Sequence, residues 1–354
     1  MNKKIIGFLF VLAVLAEIII SIGCKKEENT QSLTPTNVIT PYIPPTEPIL
    51  IDSTAVQYYG QLKVSGNRIV GENNKPVQLR GMSLFWSQWI GKYYNNACVK
   101  WLKDDWRCNV VRAAMAVEEG GYLTNPDAEK QKIIAVVEAA IEHGLYVIID
   151  WHDHNAYKNI EKSKAFFAEM AQKYGNKPNV IYELFNEPLQ VSWTSTIKPY
   201  HQAVIDTIRK YDPDNLIICG TPTWSQDVDV AATNPLIGIN IAYTLHFYSG
   251  SHKQSLRDKA TSALNKGIAL FVTEYGTTNA TGDGFVNQAE TNLWYNFLDE
   301  NKISWCNWSI ADKTESSAAL LSNASTTGGW PINSLSTSGQ FVRDEMRLKN
   351  LRFK

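Results

Sequence analysis

From about residue 53 onward the chain alternates between two spacings of apolar residues. Short runs rich in Val, Ile, Leu and aromatic residues occur at 79–84, 110–114, 145–152, 180–187, 216–220, 243–248, 269–274 and 303–309. Runs of this length, apolar on both sides, suit strands buried on both faces of a parallel sheet. Between them lie stretches of helical period at 127–143, 160–174, 196–210, 255–266 and 286–301. In 127–143, Ile133, Val136, Val137, Ala140 and Ile141 trace one helix face. Ahead of the first run, Leu62-Lys63-Val64 and Arg68-Ile69-Val70 flank Ser65-Gly66-Asn67 and read as a hairpin. Strands and helices alternating over roughly 300 residues predict an α/β fold, a (β/α)8 TIM barrel with a short N-terminal β-hairpin. A doubly wound sheet is the alternative, but no Gly-rich phosphate fingerprint follows the first strand.

The polar residues that interrupt these runs change the picture from fold to chemistry. Val180-Ile181-Tyr182-Glu183-Leu184-Phe185 ends in Asn186 and Glu187, just before Pro188. The run 269–274 ends in Glu274, so two strands each deliver a glutamate to one rim, where barrel chemistry sits. Successive strand residues point to opposite sides, so Asp150 pairs with His152, His246 with Tyr248, and Glu183 with Glu187. With these sets turned inward, Arg112, His152, Glu187, His246, Tyr248, Glu274 and Trp308 ring that rim. Asp150 and Glu183 lie deeper and read as structural, with Arg112 as a counter-ion for either. His152 and His154 form His-x-His, which can ligate a metal, but no third ligand repeats the geometry nearby, so no metal and no cofactor are expected.

Composition narrows the class. The 354 residues are 44% hydrophobic and 19% charged, enough for one large core or two small ones. A net charge of −1 gives no electrostatic case for nucleic acid. Those of the 11 tryptophans and 16 tyrosines not needed for the core offer flat amphipathic surfaces of the kind sugars stack on; a Trp-rich core is the alternative. At the N-terminus, Asn2-Lys3-Lys4 precedes an apolar stretch at 5–22 that ends in Ser21-Ile22-Gly23-Cys24. This resembles a bacterial lipoprotein signal, 1–23, with Cys24 as the lipid anchor; an uncleaved membrane anchor is the alternative. Residues 24–52 are dense in Thr and Pro and read as a tether, leaving 53–354 as the catalytic domain. The expected location is extracytoplasmic, anchored to the outer membrane at the cell surface or the periplasmic face. Cys98, Cys108, Cys219 and Cys306 read as buried free thiols.

Two carboxylates at one rim suit glycosidic bond cleavage. One must stay protonated to release the leaving oxygen, and the other must be ionised to attack or stabilise the anomeric carbon. Leu184-Phe185-Asn186-Glu187-Pro188 and Val272-Thr273-Glu274-Tyr275-Gly276 resemble signatures of the family 5 glycoside hydrolases. So do Val111-Arg112-Ala113-Ala114-Met115, Asp150-Trp151-His152, His246-Phe247-Tyr248 and Trp305-Cys306-Asn307-Trp308-Ser309, in order along the chain. Thr223-Trp224-Ser225-Gln226-Asp227-Val228 and Glu315-Ser316-Ser317-Ala318-Ala319-Leu320 extend the likeness to the bacterial endoglucanase (cellulase) subgroup. The resemblance implies a retaining endo-β-1,4-glucanase with Glu187 as acid/base and Glu274 as nucleophile. It further implies that Arg112 and Tyr248 orient Glu274, that Asn186, His152 and His246 shape the central sugar site, and that Trp308 lies beneath it. Trp89, Trp224, Lys313 and Glu315 would serve neighbouring subsites. The partner would be a β-glucan, bound by a monomer; mannan, xyloglucan or mixed-linkage glucan are alternatives, as is a surface lipoprotein that binds glycans without cleaving them. The chain departs from the pattern at Leu84-Phe85-Trp86-Ser87-Gln88-Trp89, where Phe85 stands in place of a polar sugar contact.

Overall fold

A computed structural model describes residues 49–354. The expected signal peptide, Cys24 and most of the tether lie outside the described residues. The strands are β1 (Leu50–Ile51), β2 (Lys63–Ser65), β3 (Arg68–Val70), β4 (Arg80–Leu84), β5 (Val110–Ala116), β6 (Tyr146–His152), β7 (Val180–Glu183), β8 (Ile217–Cys219), β9 (Ile241–Tyr248), β10 (Ala269–Gly276), β11 (Ser304–Ile310) and β12 (Arg352–Phe353). β4 to β11 form a closed parallel barrel in chain order, β11 pairing back onto β4. β2 and β3 are the predicted antiparallel hairpin, and β1 pairs with β12 near the two ends of the described chain.

Helices occupy the connections: α1 (Ala55–Tyr59), α2 (Asn96–Asp104), α3 (Pro126–His143), α4 (Ile160–Tyr174), α5 (Lys198–Ile208), α6 (Pro222–Ser225), α7 (Val228–Ala231), α8 (Gln254–Asn265), α9 (Gln288–Asn301) and α10 (Thr337–Lys349). The predicted helices are present, that at 160–174 with its predicted bounds and the others with shifted ends. The one expected at 196–210 opens instead with a π turn at Trp193–Ile197 and ends at Ile208. A short helix-like segment between Cys98 and Cys108 corresponds to α2, whereas apolar spacing does not set α10 apart. Side chains mark their starts: Asn95 accepts from the Cys98 amide at 3.0 Å and Ser336 from the Gly339 amide at 3.0 Å.

Alternation along the strands makes two cores. Val111, Ala113 and Met115 on β5, with Val147, Ile149 and Trp151 on β6, pack outward against the helices. Val110, Ile148, Ile181, Ala242, Phe271 and Cys306 pack inside the lower barrel, and Leu62 and Ile69 of the hairpin join them there. The hairpin's place in the fold follows from its apolar face, which closes the barrel floor. Each buried Ile or Phe contributes about 1.5–3 kcal/mol relative to exposure. Cys98, Cys108, Cys219 and Cys306 are buried free thiols, as the sequence led one to expect. Among the described residues no helix is long and apolar enough to cross a membrane.

Candidate active site

Strand alternation alone turns most of the site inward. Above Ile148 on β6 come Asp150 and His152; above Ile181 on β7 comes Glu183; above Ala242 on β9 come His246 and Tyr248. Glu274 is different. On β10, Ala269 and Phe271 face the interior while Leu270 and Val272 face the helices. Strict alternation would therefore send Thr273 inward and Glu274 outward. The register shifts between Phe271 and Glu274 against β9, and between Val272 and Tyr275 against β11. This bulge brings both side chains inside, and Tyr275 resumes the outward set. Gly276 ends the motif because the Tyr248 ring lies against it: a Cβ there would sit 2.2 Å from that ring.

Glu187 also departs from expectation, since β7 ends at Glu183 and not at 187. Past Glu183 the backbone turns to its neighbours. The Leu184 amide donates to Ile218, the Asn186 amide to Trp151 at 3.2 Å, and the Glu187 amide to Asp153 at 3.3 Å. These bonds replace the regular ladder and lift Glu187 onto the loop above it. The short turn after β8, α6, clamps this one and is not right-handed helix inside. Thr223, Trp224 and Ser225 all have positive φ (60°, 54° and 56°), a conformation that non-glycine residues hold only when contacts enforce it. Here the Trp224 amide donates to Pro188 at 2.8 Å and the Ser225 hydroxyl to Asn186 at 2.8 Å.

Arg112 is fully buried at the centre of a carboxylate cluster. Nε and Nη2 reach the two oxygens of Glu183 at 2.7 and 3.2 Å. Nη2 also meets Asp150 at 2.9 Å and Asn186 Oδ1 at 2.7 Å, and Nη1 donates to Glu274 at 3.0 Å. Burial opposes the guanidinium charge, yet Asp150, Glu183 and Glu274 together hold Arg112 protonated. Because Arg112 can only donate, it fixes the Asn186 amide with its oxygen inward and its nitrogen as the donor for a ligand. One cation among three carboxylates leaves surplus negative charge away from water. Burial accordingly pushes Asp150 up to about 8 and Glu183 up to about 7, with Arg112 opposing both shifts.

The two rim glutamates sit in unlike settings. Glu274 receives donors on both oxygens: Arg112 at 3.0 Å and the Tyr248 hydroxyl at 2.8 Å. Those contacts stabilise its ionised form. Glu187 faces His246 Nδ1 at 3.0 Å, and its backbone carbonyl faces His154 Nδ1 at 3.2 Å. Burial, and then the charge of Glu274, hold Glu187 well above the ordinary carboxylate range. Burial and then Arg112 hold both His152 and His246 well below the usual imidazole value, so both are neutral. One environment favours a carboxylate and the other a carboxylic acid, the division of labour that acid-assisted displacement needs. One carboxyl oxygen of Glu187 lies within 4.8 Å of one of Glu274.

Aromatic rings line the rim. Trp308 stacks on His152 with planes 3° apart and packs against Phe85 at 5.1 Å. Trp86, which the sequence reading passed over, stands edge-on to His152 at 4.1 Å. Phe85 is buried beneath Lys313, whose ammonium lies 4.8 Å from the ring, so the lost polar contact has become part of the floor. A cavity of about 400 Å³ is lined by Glu187, Glu274, His246, Tyr248, Trp224, Gln226 and His252. A second, of about 340 Å³, lies between Trp86, Trp89, His152 and His154. Lys313 and Glu315, ion-paired at 2.5 Å, border a third of about 700 Å³.

The structure thus gathers Arg112, His152, Asn186, Glu187, His246, Tyr248, Glu274 and Trp308 at one rim. Trp89 and Trp224 are exposed along it, and Lys313 and Glu315 lie beside it. Cys24 is outside the described residues. Sequence reasoning missed Thr273, whose hydroxyl bridges His246 and Glu183 at 2.9 and 2.6 Å. Its place beside Glu274 was the available signal. The His-x-His pair does not converge: His152 bonds Asp150 at 2.6 Å, while His154 turns to the Glu187 loop. By distance alone Glu187, His246 and Glu274 could surround an ion. Arg112 and Tyr248 already supply the positive charge and protons that Glu274 requires, and both His246 nitrogens have partners.

Residues 70–314 match the family model for cellulase, glycosyl hydrolase family 5. An endoglucanase of Clostridium saccharobutylicum is 50% identical over 82% of the chain, and Endoglucanase Z of Dickeya dadantii is 54% identical over 77%. The chain spans 66% of the length of each of these curated relatives. A solved structure from Cytophaga hutchinsonii is 60% identical over 84% of this chain and 97% of its own, with a TM-score of 0.83. The catalytic domain of Thermobifida fusca endoglucanase Cel5A is 37% identical over 83% of this chain and 99% of its own, with a TM-score of 0.80.

Proposed function

Since the chain belongs to the cellulase family, glycosyl hydrolase family 5, we propose that it is a retaining endo-β-1,4-glucanase in which Glu187 is the acid/base and Glu274 the nucleophile. The approach of their carboxyl oxygens to within 4.8 Å carries this reading. Retaining pairs stand about 5–5.5 Å apart, whereas inverting pairs leave about 6.5–9.5 Å for a water. Glu274, held ionised by Arg112 and Tyr248, attacks the anomeric carbon as Glu187 gives its proton to the glycosidic oxygen. The bond to the leaving sugar breaks and a glycosyl ester forms on Glu274. Glu187, now a carboxylate, takes a proton from water as that water attacks the same carbon and releases Glu274. The Asn186 amide nitrogen donates to a hydroxyl of the central sugar, a bond that strengthens as positive charge grows on the ring. Trp308 stacks beneath that sugar. His152, neutral and stacked on Trp308, holds its plane. Trp89, Trp224, Lys313 and Glu315 bind flanking sugars.

Cellulose-type glucan is the substrate this reading favours; a variant of the Thermobifida fusca relative has been solved with cellotetraose. The test is reducing-sugar release from soluble β-1,4-glucan, mannan, xyloglucan and mixed-linkage glucan, with the first anomer formed read by proton NMR. Fastest release from β-1,4-glucan with the β-anomer first is the expected result. The α-anomer first would overturn the mechanism, and no hydrolysis of any polymer would leave a glycan-binding protein.

The same proposal covers the N-terminus: a lipid on Cys24 tethers a monomeric enzyme to the outer membrane through the Thr/Pro-rich segment. Incorporation of labelled palmitate that disappears in Cys24→Ala is expected; label retained in that variant would sink the assignment.

A further inference from the structure

Glu187 must hold a proton in the resting enzyme if it is the acid proposed above, and a line of hydrogen bonds leads from the buried arginine to that carboxyl. Glu183 receives Arg112 on both oxygens, at 2.7 and 3.2 Å. Above about pH 7, where Glu183 has given up its proton, its carboxyl accepts both arms of the guanidinium fork and cannot donate. Thr273 therefore commits its single hydroxyl proton to Glu183, at 2.6 Å. Toward its other neighbour, His246 Nε2 at 2.9 Å, the hydroxyl oxygen can then only accept. His246 must carry its proton on Nε2, and its Nδ1 turns a lone pair toward Glu187 at 3.0 Å. A lone pair facing a carboxyl binds the acid form and repels the carboxylate.

We propose that Thr273 is a positioning residue which fixes the Nε2–H tautomer of His246 and so keeps the proton on Glu187. It touches neither Glu187 nor Glu274 through its hydroxyl and acts only through His246. The proposal rests on the reading of Glu187 as the acid.

The other groups around the pair set charge but not tautomer. From β5, Arg112 disfavours a charged imidazole, as do His152 and His154 from the end of β6 and its loop. Glu274 from β10, Asp150 from β6 and Glu183 from β7 disfavour the Glu187 carboxylate, Arg112 favours it, and His154 Nδ1 stands 3.7 Å from its other oxygen, whichever nitrogen of His246 is protonated. Tyr248 on β9 spends its proton on Glu274. Among the described residues only Thr273 contacts Nε2 within hydrogen-bonding distance, and it chooses which nitrogen carries hydrogen. The arrangement governs the alkaline side of activity, where Glu183 is ionised and loss of the Glu187 proton ends catalysis.

The experiment uses the full-length chain with ¹⁵N-labelled histidine; six histidines keep the spectrum tractable. At about pH 8, wild type should show the His246 proton on Nε2, assigned by its absence in His246→Gln. Thr273→Val should move the proton to Nδ1, and Thr273→Ser should return it to Nε2. In parallel, the alkaline limb of kcat/KM against pH should fall by about one unit in Thr273→Val, with KM changed less than about twofold, and recover in Thr273→Ser. A wild-type His246 protonated on Nδ1, or an unmoved alkaline limb in folded Thr273→Val, would overturn the proposal. If the valine variant does not fold, Thr273→Ala takes its place, and the wild-type spectrum decides by itself. The tautomer is read without substrate, so an enzyme inactive on every glucan would refute the proposed function and leave this result standing.

Discussion

The lower and upper halves of the barrel interior are made from the same strands by the same alternation, yet they are opposite in character. Below, Val110, Ile148, Ile181, Ala242 and Phe271 meet in an apolar layer that the hairpin closes. Two residues further along those strands, the interior positions become Arg112, Asp150, Glu183 and Thr273, joined by hydrogen bonds of 2.6–3.2 Å where they touch. These five side chains carry no polar atom. The upper layer is buried charge, which costs stability unless every group is partnered. The fold can hold that unfavourable cluster because the apolar floor beneath it fixes where each strand stands. Stability and reactivity are thus stacked along the barrel axis.

This contrast can be broken experimentally. Glu274→Ala should reduce kcat by at least about 10³-fold without lowering the thermal midpoint, because it relieves charge repulsion in the upper layer. A variant that retained wild-type turnover would show that the upper layer is not where the chemistry occurs. Arg112→Met should cost about 3–5 kcal/mol in urea unfolding and abolish activity, since Asp150, Glu183 and Glu274 lose their shared cation. In the lower layer, Ile148→Ala should cost about 2–5 kcal/mol while kcat of the folded enzyme changes less than about threefold. A large loss of kcat there would mean the layers are not separable.

A subtler test follows from pH. Asp150 is raised to about 8 and Glu183 to about 7 in the folded protein, above their unfolded values. The folded state therefore holds protons that the unfolded chain has released by neutral pH. Stability from this source is complete at about pH 4 and lost as pH rises through about 7 and 8. The thermal midpoint should fall between about pH 4 and 8, and less steeply in Asp150→Asn, which stays neutral throughout. Equal slopes would place the retained proton elsewhere. The smallest effect expected is at the rim: Trp89→Ala, exposed and outside both layers, should raise KM by about three- to tenfold with kcat nearly unchanged.

Much of this was legible in the sequence because strands impose a period of two on interior and exterior. The pairs Asp150 and His152, and His246 and Tyr248, were assigned to one face from that period alone, and they share it. Trp86 and Thr273 were not singled out, because a tryptophan or threonine in an apolar run looks like packing until its neighbours across the barrel are known. Glu183 and Glu187 were read as sharing parity on one strand. In fact the strand stops between them, and Glu187 is placed by amide bonds to Trp151 and Asp153.

What the sequence determined by itself was the inventory and its order: alternating strands and helices, and polar residues at the strand ends. These depend on local spacing, which one chain records completely. Only the tertiary structure decided where the two glutamates point. Alternation from Ala269 and Phe271 would have sent Glu274 out among the helices, and the bulge against β9 and β11 turns it in. A bulge is a mismatch between neighbouring strands, and its cause lies in how all of them close into a barrel. No window along the chain contains that information. The approach of Glu274 to within 4.8 Å of Glu187, on which the proposed reaction depends, is a property of the closed barrel.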